Sequence, residues 1–274
     1  MRRWISLFAF AVGTMASRGS GNPGIHLDPL PDIPAINLTF PSSRLALSAL
    51  AYTKEHTSSN TVNHCLRSAY FAVILSKKHP SFAGKRLNLD LVVFSVIMHD
   101  LGWATTKSLL SQDRRFEVDG ADLARAFLEK HAPWDEHQRQ LAWDAIALHT
   151  TPSIAQFKQP EVGLAQLGIL HDFLGPNGPG GLLTAEEYRA VASLFPRVGW
   201  TDEFVQIMCG LCRDKPAATY QTFADYFGVT YGLDGKGGGK EQYKQALEGS
   251  QIQPRFLASM KELEESNVKG GGNQ

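Results

Sequence analysis

From Ser42 onward the apolar residues recur in long Ala- and Leu-rich segments separated by short breakers, with a period near 3.6 rather than 2. The pattern predicts an all-α bundle of about ten helices with no substantial sheet. Its segments fall at about residues 42–55, 61–78, 88–101, 117–131, 135–149, 161–173, 184–195, 201–213, 219–227, 239–248 and 253–267. One segment is ambiguous by periodicity alone. "LDLVVFSVIM", residues 89–98, is continuously apolar and could be a buried strand. Its length, and Asn88 in position to cap its first turn, predict instead a central helix buried nearly all round.

The breakers set the organisation. "GPNGPGG" at 175–181 and "GKGGGK" at 235–240 interrupt the helical rhythm, and residues 251–274 read as a C-terminal helix with a disordered tail. Residues 17–41 are dense in Pro and Gly and predict an extended leader or wrap ahead of a catalytic domain spanning 42–250. Residues 1–16 place Arg2 and Arg3 before an apolar run, with Thr14 and Ala16 at cleavage-site positions. That is the shape of a signal peptide, so secretion is the expectation and a cytoplasmic location the alternative. No later segment supplies about 20 consecutive apolar residues, so no membrane span is expected.

Composition narrows the partners. Lys plus Arg and Asp plus Glu are both 27, giving a formal net charge of zero over 274 residues. There is no overall basic field to recruit nucleic acid or anionic lipid, which leaves a small molecule as the expected partner and oligomeric state open. Three cysteines make no even disulfide framework. Cys209 and Cys212 form "CGLC" inside an apolar segment, where core thiols are the expectation.

The chemistry concentrates at segment ends. "VVFSVIMHDLGW" runs an apolar segment into His99 and Asp100. A buried carboxylate is costly unless something cationic meets it, and an imidazole beside it is simply explained if both face one ion. His64 in "NHCLRS", His149 in "WDAIALHTTP" and His171 with Asp172 in "GILHDFLGP" repeat the theme in other helices.

These motifs resemble the H…HD…D pattern of the HD-domain superfamily of all-helical, metal-dependent hydrolases. "NHCLRSAYFA", "VIMHDLGW", "RFEVDGADLAR", "WDAIALHTTPSIA" and "DFLGP" more narrowly resemble the fungal cyanamide hydratase group, over roughly residues 42–245. The resemblance implies His64, His99, Asp100 and Asp172 as ligands of one divalent transition metal. Zinc is the metal it implies first, and the donor set also admits Fe, Mn, Co or Ni. HD proteins that hold two metals usually carry a further His where Phe116 stands, and a phenyl ring cannot ligate, so a mononuclear site is expected. His171 is expected as an outer residue or a surface one.

The activity so implied is a hydratase adding metal-activated water to a nitrile-type substrate such as cyanamide, giving urea. Asp100, His149 and Thr150 are the expected catalytic residues, and Trp103, His149 and Arg67 the expected substrate contacts. A phosphohydrolase is the rival reading, and it needs cations such as Arg67, Lys107, Arg114 or Arg115 aimed at a phosphate. A non-catalytic secreted binding protein on the same fold is the third.

Overall fold

A computed structural model describes residues 28–270. Its helices are α1 (Arg44–His56), α2 (Ser59–Lys78), α3 (Leu89–Met98), α4 (Phe116–His131), α5 (Glu136–Ala147), α6 (Pro152–Ala155), α7 (Pro160–Leu174), α8 (Ala185–Leu194), α9 (Trp200–Asp214), α10 (Asp225–Tyr231), α11 (Lys240–Gly249) and α12 (Gln253–Gly270). Among the described residues the protein has no strand, only an isolated antiparallel bridge between Ile33 and Leu38. No helix of this set is long and apolar enough to cross a membrane.

Local chemistry explains most of the starts. Ser43, Ser58 and Asn88 accept hydrogen bonds from the first-turn amides of α1, α2 and α3. Asp135 with Gln138, and Thr184 with Glu187, form reciprocal capping boxes at α5 and α8. The ambiguous segment is helical, and residues 91–98 of α3 are all buried. α3 packs against α1, α2, α5 and α7, and α2 lies along α7. Burying helices this completely is the main favourable term for the fold, at about 25 cal/mol per Å² of apolar surface.

Two departures from the sequence pattern have physical causes. Residues 219–224 form turns, and the helix expected at 219–227 runs instead from Asp225 to Tyr231. The hydroxyls of Thr219 and Thr222 donate to Pro216 O and Thr219 O, a local alternative to helix hydrogen bonding. The short α6 was not expected, and Pro152 starts it with a preset φ. Residues 28–41, the described part of the stretch expected as an extended leader or wrap, pack on the core. Ile33, Leu38 and Phe40 are buried, Phe40 stacks on Tyr70 at 4.0 Å, and the Tyr70 hydroxyl donates to Pro31 O at 2.7 Å. Residues 1–16, expected as a signal peptide, lie outside the described residues, as do residues 17–27 and 271–274.

Two close approaches fix where α3 delivers its end. A Cβ on Gly102 would lie 1.7 Å from the Phe116 carbonyl oxygen, and one on Gly120 would lie 2.9 Å from the His99 carbonyl oxygen. Glycine at both positions lets the turn after α3 lie directly on the first turns of α4.

Candidate metal centre and its cavity

His64 projects from the second turn of α2, while His99 and Asp100 directly follow the end of α3, so three side chains meet from two buried helices. All three are at most 1% exposed. Their ring tautomers follow from their outer contacts. Nδ1 of His64 lies 2.6 Å from Asp172, and Nδ1 of His99 lies 2.7 Å from the Val96 carbonyl oxygen. In the neutral rings each Nδ1 therefore carries the proton, and each Nε2 presents a lone pair.

Those lone pairs face each other. The two Nε2 atoms are 3.2 Å apart, and Asp100 Oδ2 lies 3.4 Å from that of His64 and 3.1 Å from that of His99. Neither Asp100 oxygen has a hydrogen-bond partner, although both are buried. Two imidazole Nε2 atoms and a bare carboxylate crowded in a dry interior need a cation among them, either a metal ion or, without one, a proton on His99. The donor set therefore fits a divalent metal, with two imidazoles and a carboxylate and no thiolate. The titration behaviour has the same origin. Burial opposes a charge on His99, but the Asp100 carboxylate outweighs it and holds that imidazole well above its usual value. Burial keeps His64 below its usual value in spite of Asp172.

Asp172 stands behind this trio rather than in it. Its carboxylate meets Nδ1 of His64, accepts from Arg67 Nε at 2.6 Å and Nη2 at 2.9 Å, and accepts from Arg197 at 2.7 Å. Burial would raise its pKa, but His64 and Arg67 bring it down to about 2. Asp172, expected as the fourth ligand, lies outside the group of three that could hold a metal and meets His64 on its far edge, the position from which a carboxylate orients an imidazole at metal sites. Arg67 is corrected with it. The guanidinium is fully buried, and its remaining donor goes to the Phe195 and Pro196 carbonyls, so it does not reach the cavity as a substrate contact.

His149 follows α5 and lies edge-on to His99, with ring centroids 4.8 Å apart. Its Nδ1 lies 2.6 Å from the Ile146 carbonyl oxygen, and its Nε2 is 4.0 Å from Asp100 Oδ1. Burial, then the neighbouring His99, lower its pKa to about 4, so at neutral pH it is an uncharged acceptor. Thr150 donates its hydroxyl proton to Glu117 at 2.6 Å. Glu117 is itself buried and pinned by Arg115 at 2.7 Å. Phe116 lines the same cavity, stacked on Trp103 at 5.2 Å and edge-on to His149 at 5.6 Å.

These groups form one end of a cavity of about 440 Å³. His64, His99, Asp100, His149 and Thr150 are its polar end, and Trp103, Phe116, Phe173, Phe204, Phe223 and Phe227 supply most of the rest. Among the described residues no Lys or Arg lines it. Arg114 pairs with Asp122 near the surface, Arg115 with Glu117, and Lys107 is exposed.

Two residues of interest escape a sequence reading. Glu117 lies within "RFEVDGADLAR", but nothing in that stretch sets it apart from the other acidic residues there. Gln166 lines the cavity on the same face of α7 as Ile169, Leu170 and Phe173, and its signal is a lone amide within an apolar stripe of helical spacing. His171, expected as an outer or surface residue, is fully buried outside the cavity; its Nδ1 lies 2.9 Å from Leu167 O, and Gly178 packs so closely that a Cβ would lie 2.5 Å from its Nε2. Cys209 and Cys212 are buried free thiols.

Comparison with known families agrees with this geometry. A model of the HD domain matches residues 61–170, a span that holds His64, His99, Asp100 and His149 and ends just before Asp172. Residues 61–170 are thus similar to an HD domain, and the His64, His99 and Asp100 cluster within them could hold a divalent metal. No curated protein matches the sequence.

Proposed function

We propose that the protein is a metal-dependent hydratase that adds water to a small uncharged electrophile of the nitrile type, of which cyanamide is the simplest. HD domains are generally metal-dependent hydrolases. The observation that carries the narrower reading is the absence of Lys and Arg from the described lining of the cavity. A phosphate ester brings one or two negative charges and needs cations aimed at it, whereas a neutral nitrile needs only apolar walls and a few placed polar groups.

A divalent metal held by His64, His99 and Asp100 supplies Lewis-acid activation of water at neutral pH. The chain supplies the rest. Asp172 and Val96 O hold the two imidazoles in the tautomer that presents Nε2. His149, uncharged and with a free Nε2 lone pair near Asp100, is placed to take a proton from the attacking water. The aromatic walls exclude bulk water, so the polar end acts in a medium of low dielectric. Water adds across the C≡N bond: oxygen bonds to carbon, nitrogen gains a proton, and tautomerisation yields the carboxamide, or urea from cyanamide.

The test is direct. Purified full-length protein is analysed for bound metal, then assayed for urea from cyanamide, carboxamide from organic nitriles and phosphate from nucleotides. Stoichiometric metal with urea or carboxamide is expected. Phosphate release without either product would overturn the reading in favour of a phosphohydrolase.

A further inference from the structure

The cavity is much larger than cyanamide requires, since about 440 Å³ is the range of drug-sized ligands. Its hydrogen-bonding capacity is equally unusual. Almost every N–H or O–H on the lining side chains is already used. Trp103 Nε1 donates to Thr61, Thr150 donates to Glu117, and the Nδ1 protons of His64, His99 and His149 go to Asp172, Val96 O and Ile146 O. What these groups leave facing the cavity is lone pairs.

Gln166 is the exception. It is 5% exposed, lines the cavity, and has no hydrogen-bond partner among the described residues. The amide opens onto the cavity rather than being sealed in the core, and a polar group so placed in an apolar stripe marks a position where a bound ligand can complete its hydrogen bonds.

We propose that Gln166 is the hydrogen-bond donor to the reacting nitrogen of the substrate, and that this substrate is an organic nitrile whose apolar, ring-sized body fills the aromatic walls. The assignment rests on the hydratase reading for the reaction but not for binding. A nitrile has a single acceptor, its nitrogen, which the one free donor can meet, while the lone pairs of His64, His99 and Asp100 would be taken by a bound metal and that of His149 by the attacking water. When water adds to the carbon, negative charge develops on that nitrogen, and the Gln166 N–H is the side-chain group available to stabilise it before it is protonated. Such a contact strengthens as the charge grows and so acts on kcat more than on KM.

The experiment compares benzonitrile with toluene, which has nearly the same shape and no acceptor. Binding to the full-length protein is read from Trp fluorescence, because Trp103 lines the cavity. Benzonitrile should bind roughly three- to ten-fold tighter than toluene, the worth of one neutral hydrogen bond. Gln166→Leu and Gln166→Met should bring the two affinities together by weakening benzonitrile alone. Conversion of benzonitrile to benzamide should fall about 100-fold or more in kcat in both variants, by analogy with loss of one donor to a developing anion. Unchanged benzonitrile affinity in folded variants that still bind toluene would overturn the assignment. Benzamide formation that is equally fast without Gln166 would overturn it and leave the hydratase reading standing. Gln166-dependent binding with no benzamide from the metal-loaded protein would do the reverse, sinking the hydratase reading alone.

Discussion

Oδ2 of Asp172 lies 2.6 Å from Nδ1 of His64, on the edge of the ring turned away from His99. The contact holds one imidazole in the tautomer that leaves Nε2 free, and Arg67 anchors the same carboxylate. The two roles separate by substitution. Asp172→Asn keeps the shape and an acceptor, so the fold should survive while metal affinity falls about 10–100-fold. Asp172→Ala strands the buried Arg67 guanidinium and should cost about 3–5 kcal/mol in unfolding free energy. Metal titration and denaturant unfolding measure the two effects. Total loss of metal in a folded Asn variant would return Asp172 to the ligand set.

Removing a ligand should behave differently. His99→Ala and Asp100→Ala each delete one donor from a set of three, and both should lose stoichiometric metal while remaining helical by circular dichroism. Wild-type protein should melt higher as Zn or another divalent metal is added, because metal binds only the folded state. The Asp100→Ala protein should show no such rise. A wild-type melting temperature indifferent to every divalent metal tried would show that no ion occupies the cluster.

Which parts of this arrangement can be read from residue order depends on how far apart the partners lie. The Asn88 cap, the breakers and the all-α rhythm are local, and His99 with Asp100 is a dipeptide whose oddity is visible in place. Arg67 and Asp172 are 105 positions apart. Nothing in either segment says that the guanidinium turns inward to claim the carboxylate, so Arg67 reads as a substrate contact and Asp172 as a ligand. Glu117 is invisible for the same reason, since its role depends on Thr150, 33 residues away. Gln166 was legible in principle, as a polar break in the face formed with Ile169, Leu170 and Phe173. His171 misleads because "GPNGPGG" reads as a loose break, whereas Gly178 within it packs against the imidazole.

Phe116 tests the expected number of metals. Its ring is 3% exposed, stacked on Trp103 and edge-on to His149. Phe116→His puts an imidazole beside one whose Nε2 already faces Asp100. Metal content measured by mass spectrometry should be one per chain in the wild type and rise toward two in the variant. Two metals in the wild type would contradict the mononuclear expectation.

Glu117 gives an acid-sensitive element. Burial alone would raise its pKa, but Arg115, His149 and Thr150 together hold the carboxyl below its ordinary value. A carboxylate depressed in the folded state stabilises the fold at pH above its unfolded value, about 4.3, and loses that contribution as pH falls through the lower folded value. The stability gap between wild type and Glu117→Gln should therefore be largest near neutrality and close as pH drops below about 4. Urea melts at a series of pH values give the gap. A gap that widens toward acid would mean that Glu117 is protonated in the native state.

The cavity lining also bears on how a catalytic cycle ends. In the proposed reaction hydration turns a group with one acceptor into a carboxamide with two donor hydrogens and a carbonyl. The lone pairs of His149 and Asp100 that a nitrile leaves uncontacted can accept those hydrogens, and the Gln166 amide can meet the carbonyl. The lining would therefore hold the carboxamide at least as well as the nitrile, which makes release of the product the slow step of the cycle.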